Sequence, residues 1–182
     1  MPLTQIDRVA ALVVIDMQKG IVGMATVHPV AEITDRIARL ARAFRERGQT
    51  VVLVNVAARA PGRTDTQFSF SPSPGWDELI PELDCQPGDH VVTKMQIGAF
   101  YGTALEQILR RCGATQIFLA GISTSWGVEA TARTAYDHGF NVVLVTDAMT
   151  DRDAECHRHS LDKVFPRIGE TATTDEILQR LE

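Results

Sequence analysis

The sequence predicts an α/β fold, a three-layer αβα sandwich around a doubly wound, mainly parallel sheet of five to six strands. Two observations carry that expectation. The strand-like runs, such as Val9 to Ile15 and Gln116 to Ala120, are apolar without polar alternation, the pattern of strands covered on both faces. Segments of helical periodicity alternate with them, and three of these segments stop at a glycine: Arg47-Gly48, Cys112-Gly113 and His138-Gly139.

The first strand, Val9 to Ile15, ends at Asp16. A helix over about Val30 to Arg47 carries arginines in its last turn, where positive charge complements the dipole. Val51 to Val56 is the second strand, and His90 to Thr93, ended by Lys94, is the third. A helix from about Thr103 to Cys112 precedes the strand Gln116 to Ala120. The next helix runs from about Trp126 to His138, and Asn141 to Thr146 is the fifth strand. A helix within Asp153 to Val164, a short strand near Gly169 to Ala172 and a helix opened by the capping box Thr173-x-x-Glu176 close the chain. These elements fit one domain over residues 1–182.

The connection from Ala57 to Asp89 breaks the rhythm and is rich in proline and glycine. Phe68, Phe70 and Trp76 give it apolar anchors, so it reads as an ordered segment that caps the core, lines a pocket, or both.

Composition narrows the function classes. A hydrophobic content of 45% with 23% charged residues is that of a globular protein, and a net charge of -5 argues against nucleic acid as a partner. No apolar run is long enough to span a bilayer, and no signal-peptide pattern opens the chain. The odd set Cys85, Cys112 and Cys156 reads as reduced thiols, which predicts a cytoplasmic protein.

Ligands of doubly wound sheets bind beyond the carboxyl ends of the strands. The residues there are Asp16, Asn55 to Arg59, Lys94, Ser123 to Gly127 and Asp147. Asp16 follows the most apolar strand, where desolvation raises a carboxyl pKa and suits it to proton transfer; the alternative is that it caps a turn or pairs with a cation. Lys94 can converge on Asp16 and orient it, or lie exposed at a strand exit. The stretch Gly121-Ile122-Ser123-Thr124-Ser125-Trp126-Gly127 turns from strand to helix, which offers backbone N–H groups to an anion or developing oxyanion. Asn55 and Arg59 are candidates for holding an anionic or carbonyl group. The second glycine of a nucleophile elbow is missing after Ser123, and no G-x-G-x-x-G or phosphate-loop motif is present. Cys156, His157 and His159 could suggest a metal, but they read better as a solvated helix face.

Four elements occur in order: Asp16-Met17-Gln18; Lys94 followed by Gly98-Ala99-Phe100-x-Gly102-Thr103; Gly121-Ile122-Ser123-Thr124-Ser125-x-Gly127-Val128-x-x-Thr131-Ala132-Arg133; and Asp147-Ala148-Met149 with His157 ten residues after Asp147. In this arrangement the chain resembles the isochorismatase-like hydrolases over nearly its whole length. The resemblance implies an Asp–Lys–Cys triad, of which Asp16 and Lys94 are present and Gly127 stands at the cysteine position. It implies a cis peptide before Ser123 and an oxyanion hole from the N–H groups of Ser123 and Gly127. Substrate-binding or oxyanion roles are expected at Gln18, Asn55, Arg59, Phe100, Ile122, Ser123, Ser125 and Trp126. True isochorismatases likewise lack the cysteine: an aspartic acid protonates the enol ether and water adds to the resulting cation. They carry aromatic and histidine residues where this chain has Ser123, Thr124 and Ser125. Nicotinamidases, in the same superfamily, carry an Asp/His metal motif after the second strand, where this chain reads Asn55-Val56-Ala57-Ala58-Arg59. The expectation is therefore a hydrolase of a small vinyl ether, ester or amide with no metal and no cofactor, forming a homodimer or higher oligomer. The alternative is an inactive relative that binds a small ligand or a protein.

Overall fold

The computed structural model describes residues 2–66 and 71–181; Phe68 and Phe70, two of the anchors expected in the long connection, lie outside them. Its six strands are β1 (Ala10–Ile15), β2 (Thr50–Val56), β3 (His90–Lys94), β4 (Gln116–Ile122), β5 (Asn141–Thr150) and β6 (Glu170–Ala172). They form one sheet in the order β3-β2-β1-β4-β5-β6, and every pairing is parallel. The helices are a single turn α1 (Lys19–Val22), then α2 (Val30–Glu46), α3 (Leu105–Cys112), α4 (Glu129–Asp137), α5 (Ala154–His159) and α6 (Thr174–Leu181).

Strand alternation divides the core into two layers. Leu12, Val14, Leu53, Phe118, Ala120, Val143 and Val145 pack on one face against Ile33, Ile37 and Phe44 of α2 and Ile177 of α6. Ala11, Val13, Ile15, Val52, Val54, Ile117 and Leu119 pack on the other against Leu105 and Leu109 of α3 and Ala132 and Ala135 of α4. Because β1 and β4 are buried along their whole length on both faces, their sequences show no polar alternation, which is why those runs were legible. The order reverses between β1 and β4, so a crevice opens where those two strands end. Gly121 lets them approach: at φ +118 it lies so close to β1 that a Cβ there would sit 2.0 Å from the Ile15 carbonyl oxygen.

Two expectations are corrected in β5. The strand continues to Thr150 instead of ending at Thr146, because its pairing with β4 skips from Leu119–Leu144 to Gly121–Met149. The extra residues form a bulge that carries Asp147 away from the crevice. The Asp147 carboxylate instead accepts hydrogen bonds from the N–H and hydroxyl of Thr174 at the start of α6. Asp151 takes its place at the strand exit.

Residues 75–79 of the long connection fold back over the first helical turn. Gly20 N donates to the Trp76 carbonyl, Lys19 N donates to that of Glu78, and the side chains of Lys19 and Glu78 form an ion pair. The Trp76 ring lies where a Cβ on Gly20 would be, 1.9 Å from its nearest atom. Among the described residues, no helix is long and apolar enough to cross a membrane.

Candidate active site

Asp16 is the first residue beyond β1 and adopts a left-handed backbone conformation, φ 54. Such a φ is uncommon outside glycine, though aspartate is among the residues that tolerate it. It ends the strand sharply: Asp16 N donates to Val54 O at 2.8 Å and Gln18 N donates to Asp16 O at 2.9 Å. The carboxyl group is thereby left at the mouth of the crevice but only 6% exposed.

Lys94 ends β3, two strands away, and its long side chain reaches past the end of β2. Its Nζ donates to Asp16 Oδ2 at 2.8 Å and to Gln96 O at 3.1 Å. At 2% exposure it is a buried cation, not a solvated strand-exit lysine. Asp16 Oδ1 is buried and has no hydrogen-bond partner among the described residues. Burial pushes the Asp16 carboxyl up to about 6, against the charge and hydrogen bond of Lys94, which pull it down. The result is a carboxyl group held by one oxygen, bare on the other, and able to exchange a proton near neutrality.

Removing one member of a buried pair leaves the other uncompensated, a loss of about 3–5 kcal/mol. Lys94→Met is expected to cost stability of that order at pH 8, where Asp16 must stay ionised without its cation. Without Lys94 the Asp16 carboxyl titrates still higher in the folded state, so the deficit shrinks as pH falls and the group takes up a proton. Urea denaturation of both proteins at pH 8 and pH 5 measures it; equal deficits at the two pH values contradict the coupling.

The third side of the site is the turn after β4. The Ile122–Ser123 peptide is cis, and Thr124–Val128 forms one π-helical turn before α4 begins. A Cβ built on Gly127 would lie 3.2 Å from Asp16 Oδ2, 2.8 Å from the Ile15 Cγ2 methyl and 3.7 Å from Ile122 O. Gly127 therefore faces the Asp16 carboxyl directly, and Ile15 occupies part of the space a side chain would need. Within the turn, Trp126 N and Val128 N both donate to Ser123 O. Ser125 N and Oγ donate to Asp151 Oδ2 at 2.7 and 2.8 Å. The amides at 125, 126 and 128 are thus spent within the protein. Ile122 is buried, while the Trp126 side chain stands 61% exposed on the outside of the turn.

Three residues expected to bind substrate are used otherwise. Gln18 is fully buried, and its amide donates to Val56 O and Trp76 O and accepts from Val56 N, splicing β2 and the long connection to the residues after β1. Asn55 donates to Asp77 O and accepts from the Thr93 hydroxyl, so both ends of its amide are engaged. Phe100 is buried with its ring 6.2 Å from that of Phe140 and 5.1 Å from that of His138, at the start of β5 and so toward the edge of the sheet opposite Asp16. Arg59 lies exposed in the long connection, where its guanidinium donates to the Thr64 hydroxyl at 2.8 Å.

His157 is also corrected. It is buried, not on a solvated face, because the bulged β5 brings α5 back over the turn. Its Nδ1 lies 2.8 Å from Thr124 Oγ1, and its ring meets that of His28 edge to face at 4.9 Å. Burial and the neighbouring His28 lower its pKa against the opposing pull of Asp151, which favours the neutral ring. The pair has the composition of a nucleophile and base, but Thr124 is fully buried and so closed to substrate. No group of three or more His, Cys, Asp or Glu side chains with metal-binding geometry occurs among the described residues. Cys85 and Cys156 are exposed and Cys112 closes α3, so none of the three thiols belongs to the crevice.

Comparison with known proteins shows the family. The family model for the isochorismatase domain matches residues 10–176. The chain is 41% identical to the uncharacterized isochorismatase family protein YecD of Escherichia coli O157:H7, over 96% of this chain and 97% of that protein. It is 38% identical to the uncharacterized isochorismatase family protein YwoC of Bacillus subtilis, over 94% of each. An isochorismatase family protein of Burkholderia thailandensis superposes with a TM-score of 0.94 at 39% identity, over 97% of both chains. On these matches, and on an all-parallel sheet that leads Asp16, Lys94 and the 123–128 turn to one crevice, the chain belongs to the isochorismatase family of hydrolases.

Proposed function

We propose that this protein hydrolyses a small vinyl ether, ester or amide by acid–base catalysis at Asp16, with no cysteine nucleophile and no covalent intermediate. The observation that carries the reading is the asymmetry of the Asp16 carboxyl: Oδ2 is held by Lys94 while Oδ1 is buried without a protein partner. A carboxyl group so placed, titrating at about 6, can deliver a proton from its bare oxygen.

On a vinyl ether, Asp16 donates that proton to the terminal carbon of the double bond. The positive charge forms at the ether-bearing carbon and spreads to its oxygen, and water adds there. The water returns a proton to Asp16, and the hemiketal collapses to a ketone and an alcohol. Lys94 stabilises the carboxylate that exists between the two transfers. The N–H groups of Ser123 and Gly127 clamp a substrate carbonyl or carboxylate, since their neighbours at 125, 126 and 128 are already engaged. On an ester or amide, water adds to the carbonyl carbon, Asp16 gives its proton to the leaving heteroatom as the bond to it breaks, and the added water's proton returns to Asp16, leaving a carboxylic acid and an alcohol or amine.

The pH dependence separates this role from its opposite. A general acid must carry its proton, so kcat/KM on a substrate found in a panel of vinyl ethers, esters and amides is expected to be level below about pH 6 and to fall tenfold per pH unit above it. A rate that instead rises to a plateau above pH 6 would make Asp16 a base.

A second reading, a site that only binds, is favoured by Gly127 and by the Ile15 methyl that fills the adjoining space. It requires that the whole panel go unhydrolysed while members of it raise the melting temperature.

A further inference from the structure

We infer that Asp151 is a positioning residue for the reaction proposed above: it holds the 123–128 turn so that the remaining amides face Asp16. The inference rests on that reading, but its evidence is separate. Asp151 is 3% exposed and directly follows β5. Among the described residues its carboxylate has no ion-pair partner. Four donors meet it instead: Ser125 N at 2.7 Å and Ser125 Oγ at 2.8 Å on Oδ2, with Arg152 N at 2.7 Å and Asp153 N at 3.5 Å on Oδ1. Its carbonyl oxygen accepts from Val27 N at 2.8 Å, which ties the same residue to the segment before α2.

A buried carboxylate without a cation persists only where hydrogen bonds replace its hydration, and bonds to an ionised acceptor are about twice as strong as neutral ones. Here both bonds on Oδ2 come from Ser125, two residues from Gly127. They fix the entry of the turn from the β5 side. Ser123 O fixes the turn from within by accepting from Trp126 N and Val128 N. Between these two anchors the peptide planes at 126 and 127 have little freedom, and the direction of the Gly127 N–H follows from them. Glycine supplies no side chain to hold that direction, so the Asp151 clamp does. His157 and Thr124 buttress the same turn but engage a side chain rather than the backbone. Asp151 touches no reacting atom; it acts through the donors it orients.

The test uses Asp151→Ala, Asp151→Asn and Ser125→Ala in the full chain. It reads kcat and KM on the substrate found in the panel, and hydrogen exchange of the amides from Ser123 to Val128. Asp151→Ala is expected to lower kcat about 10- to 100-fold, as a displacement near 1 Å does, with KM within about threefold and the pH midpoint still near 6. Exchange at Ser125 and Gly127 is expected to speed up at least about tenfold while β1 and β4 keep their protection. Asp151→Asn retains an oxygen that can accept from Ser125 N, so it should recover most of the loss; Ser125→Ala, which removes only the hydroxyl bond, should lie between. If Asp151→Ala does not fold, the Asn and Ser125→Ala variants carry the same ordering. Unchanged kcat with unchanged exchange in the turn overturns the inference, as does a loss shared equally by kcat and global protection with no recovery in the Asn variant. Should the wild-type protein hydrolyse nothing in the panel, the proposed reaction fails, and the positioning role for it falls with it. Exchange then reports separately whether Asp151 holds the turn.

Discussion

Asp16→Asn is expected to lower turnover by about 10²- to 10⁴-fold, the usual contribution of a positioned proton donor. The substitution keeps the volume and outline of the side chain. It removes the one proton that can be given up near neutrality, because an amide has no acidic form in that range. It also leaves the Lys94 ammonium buried opposite a neutral group, 2.8 Å from where the carboxylate oxygen was. That uncompensated buried cation should cost about 3–5 kcal/mol of stability. Steady-state kinetics across pH 5 to 8 on one substrate measure the first effect and urea denaturation the second. An Asn variant within tenfold of wild type would remove Asp16 from the chemistry, whatever its pKa.

The strand ends that frame this site were legible before the fold was. A fully buried parallel strand shows as an unbroken apolar run, so the charged residue that follows it stands out, as Asp16 does after β1; Lys94 stands out as the charged end of the short β-favouring run Val91-Val92-Thr93. The glycine stops after α2, α3 and α4 were legible for a local reason: left-handed residues follow the helix ends at Gly48, Gly113 and Gly139. What escaped depends on partners far along the chain. Gln18 and Asn55 look available in sequence because their acceptors and donors are backbone atoms of Val56, Trp76 and Asp77 and the Thr93 hydroxyl. Asp151 and His157 escaped because the β5 bulge hides where that strand ends. Three residues more on β5 than on β4 move the exit from Asp147 to Asp151 and swing α5 over the turn. A run of ten residues from Asn141 to Thr150 with polar Thr146 and Asp147 in its middle was the available signal. It reads as a strand followed by a loop unless the pairing is known.

A single methyl group at Gly127 is expected to disturb the site directly. In Gly127→Ala the new Cβ would lie 2.8 Å from the Ile15 Cγ2 and 3.2 Å from Asp16 Oδ2. The first separation is well inside van der Waals contact, and Ile15 cannot yield easily because it is fully buried in β1 between β2 and β4. The cheaper movement is that of the Asp16 carboxyl, which swings away from the turn and off its alignment with Lys94. Overpacking of this kind costs about 1–3 kcal/mol, or about 2–4 °C of melting temperature per kcal/mol in a chain of this size. The displaced carboxyl should cost about 100-fold in kcat. Ile15→Leu moves the branch one carbon outward and removes the Cγ2 methyl at nearly constant volume. The double variant Ile15→Leu/Gly127→Ala should therefore recover stability ahead of Gly127→Ala alone. Calorimetry and kinetics on the two single variants and the double close the cycle. In the same background, Gly127→Cys sets a thiol beside the Asp16 carboxylate, the arrangement a base needs to activate a nucleophile. Its alkylation by iodoacetamide should outpace that of the exposed Cys85 and Cys156 and should slow when Asp16 is also changed to Asn. If that thiol is inert and Gly127→Ala is as stable and active as wild type, the close approach of Gly127 to Asp16 has no functional meaning. If both effects appear, one crevice supports two chemistries, and the side chain at 127, together with the methyl of Ile15 that makes room for it or fills the gap, selects between them.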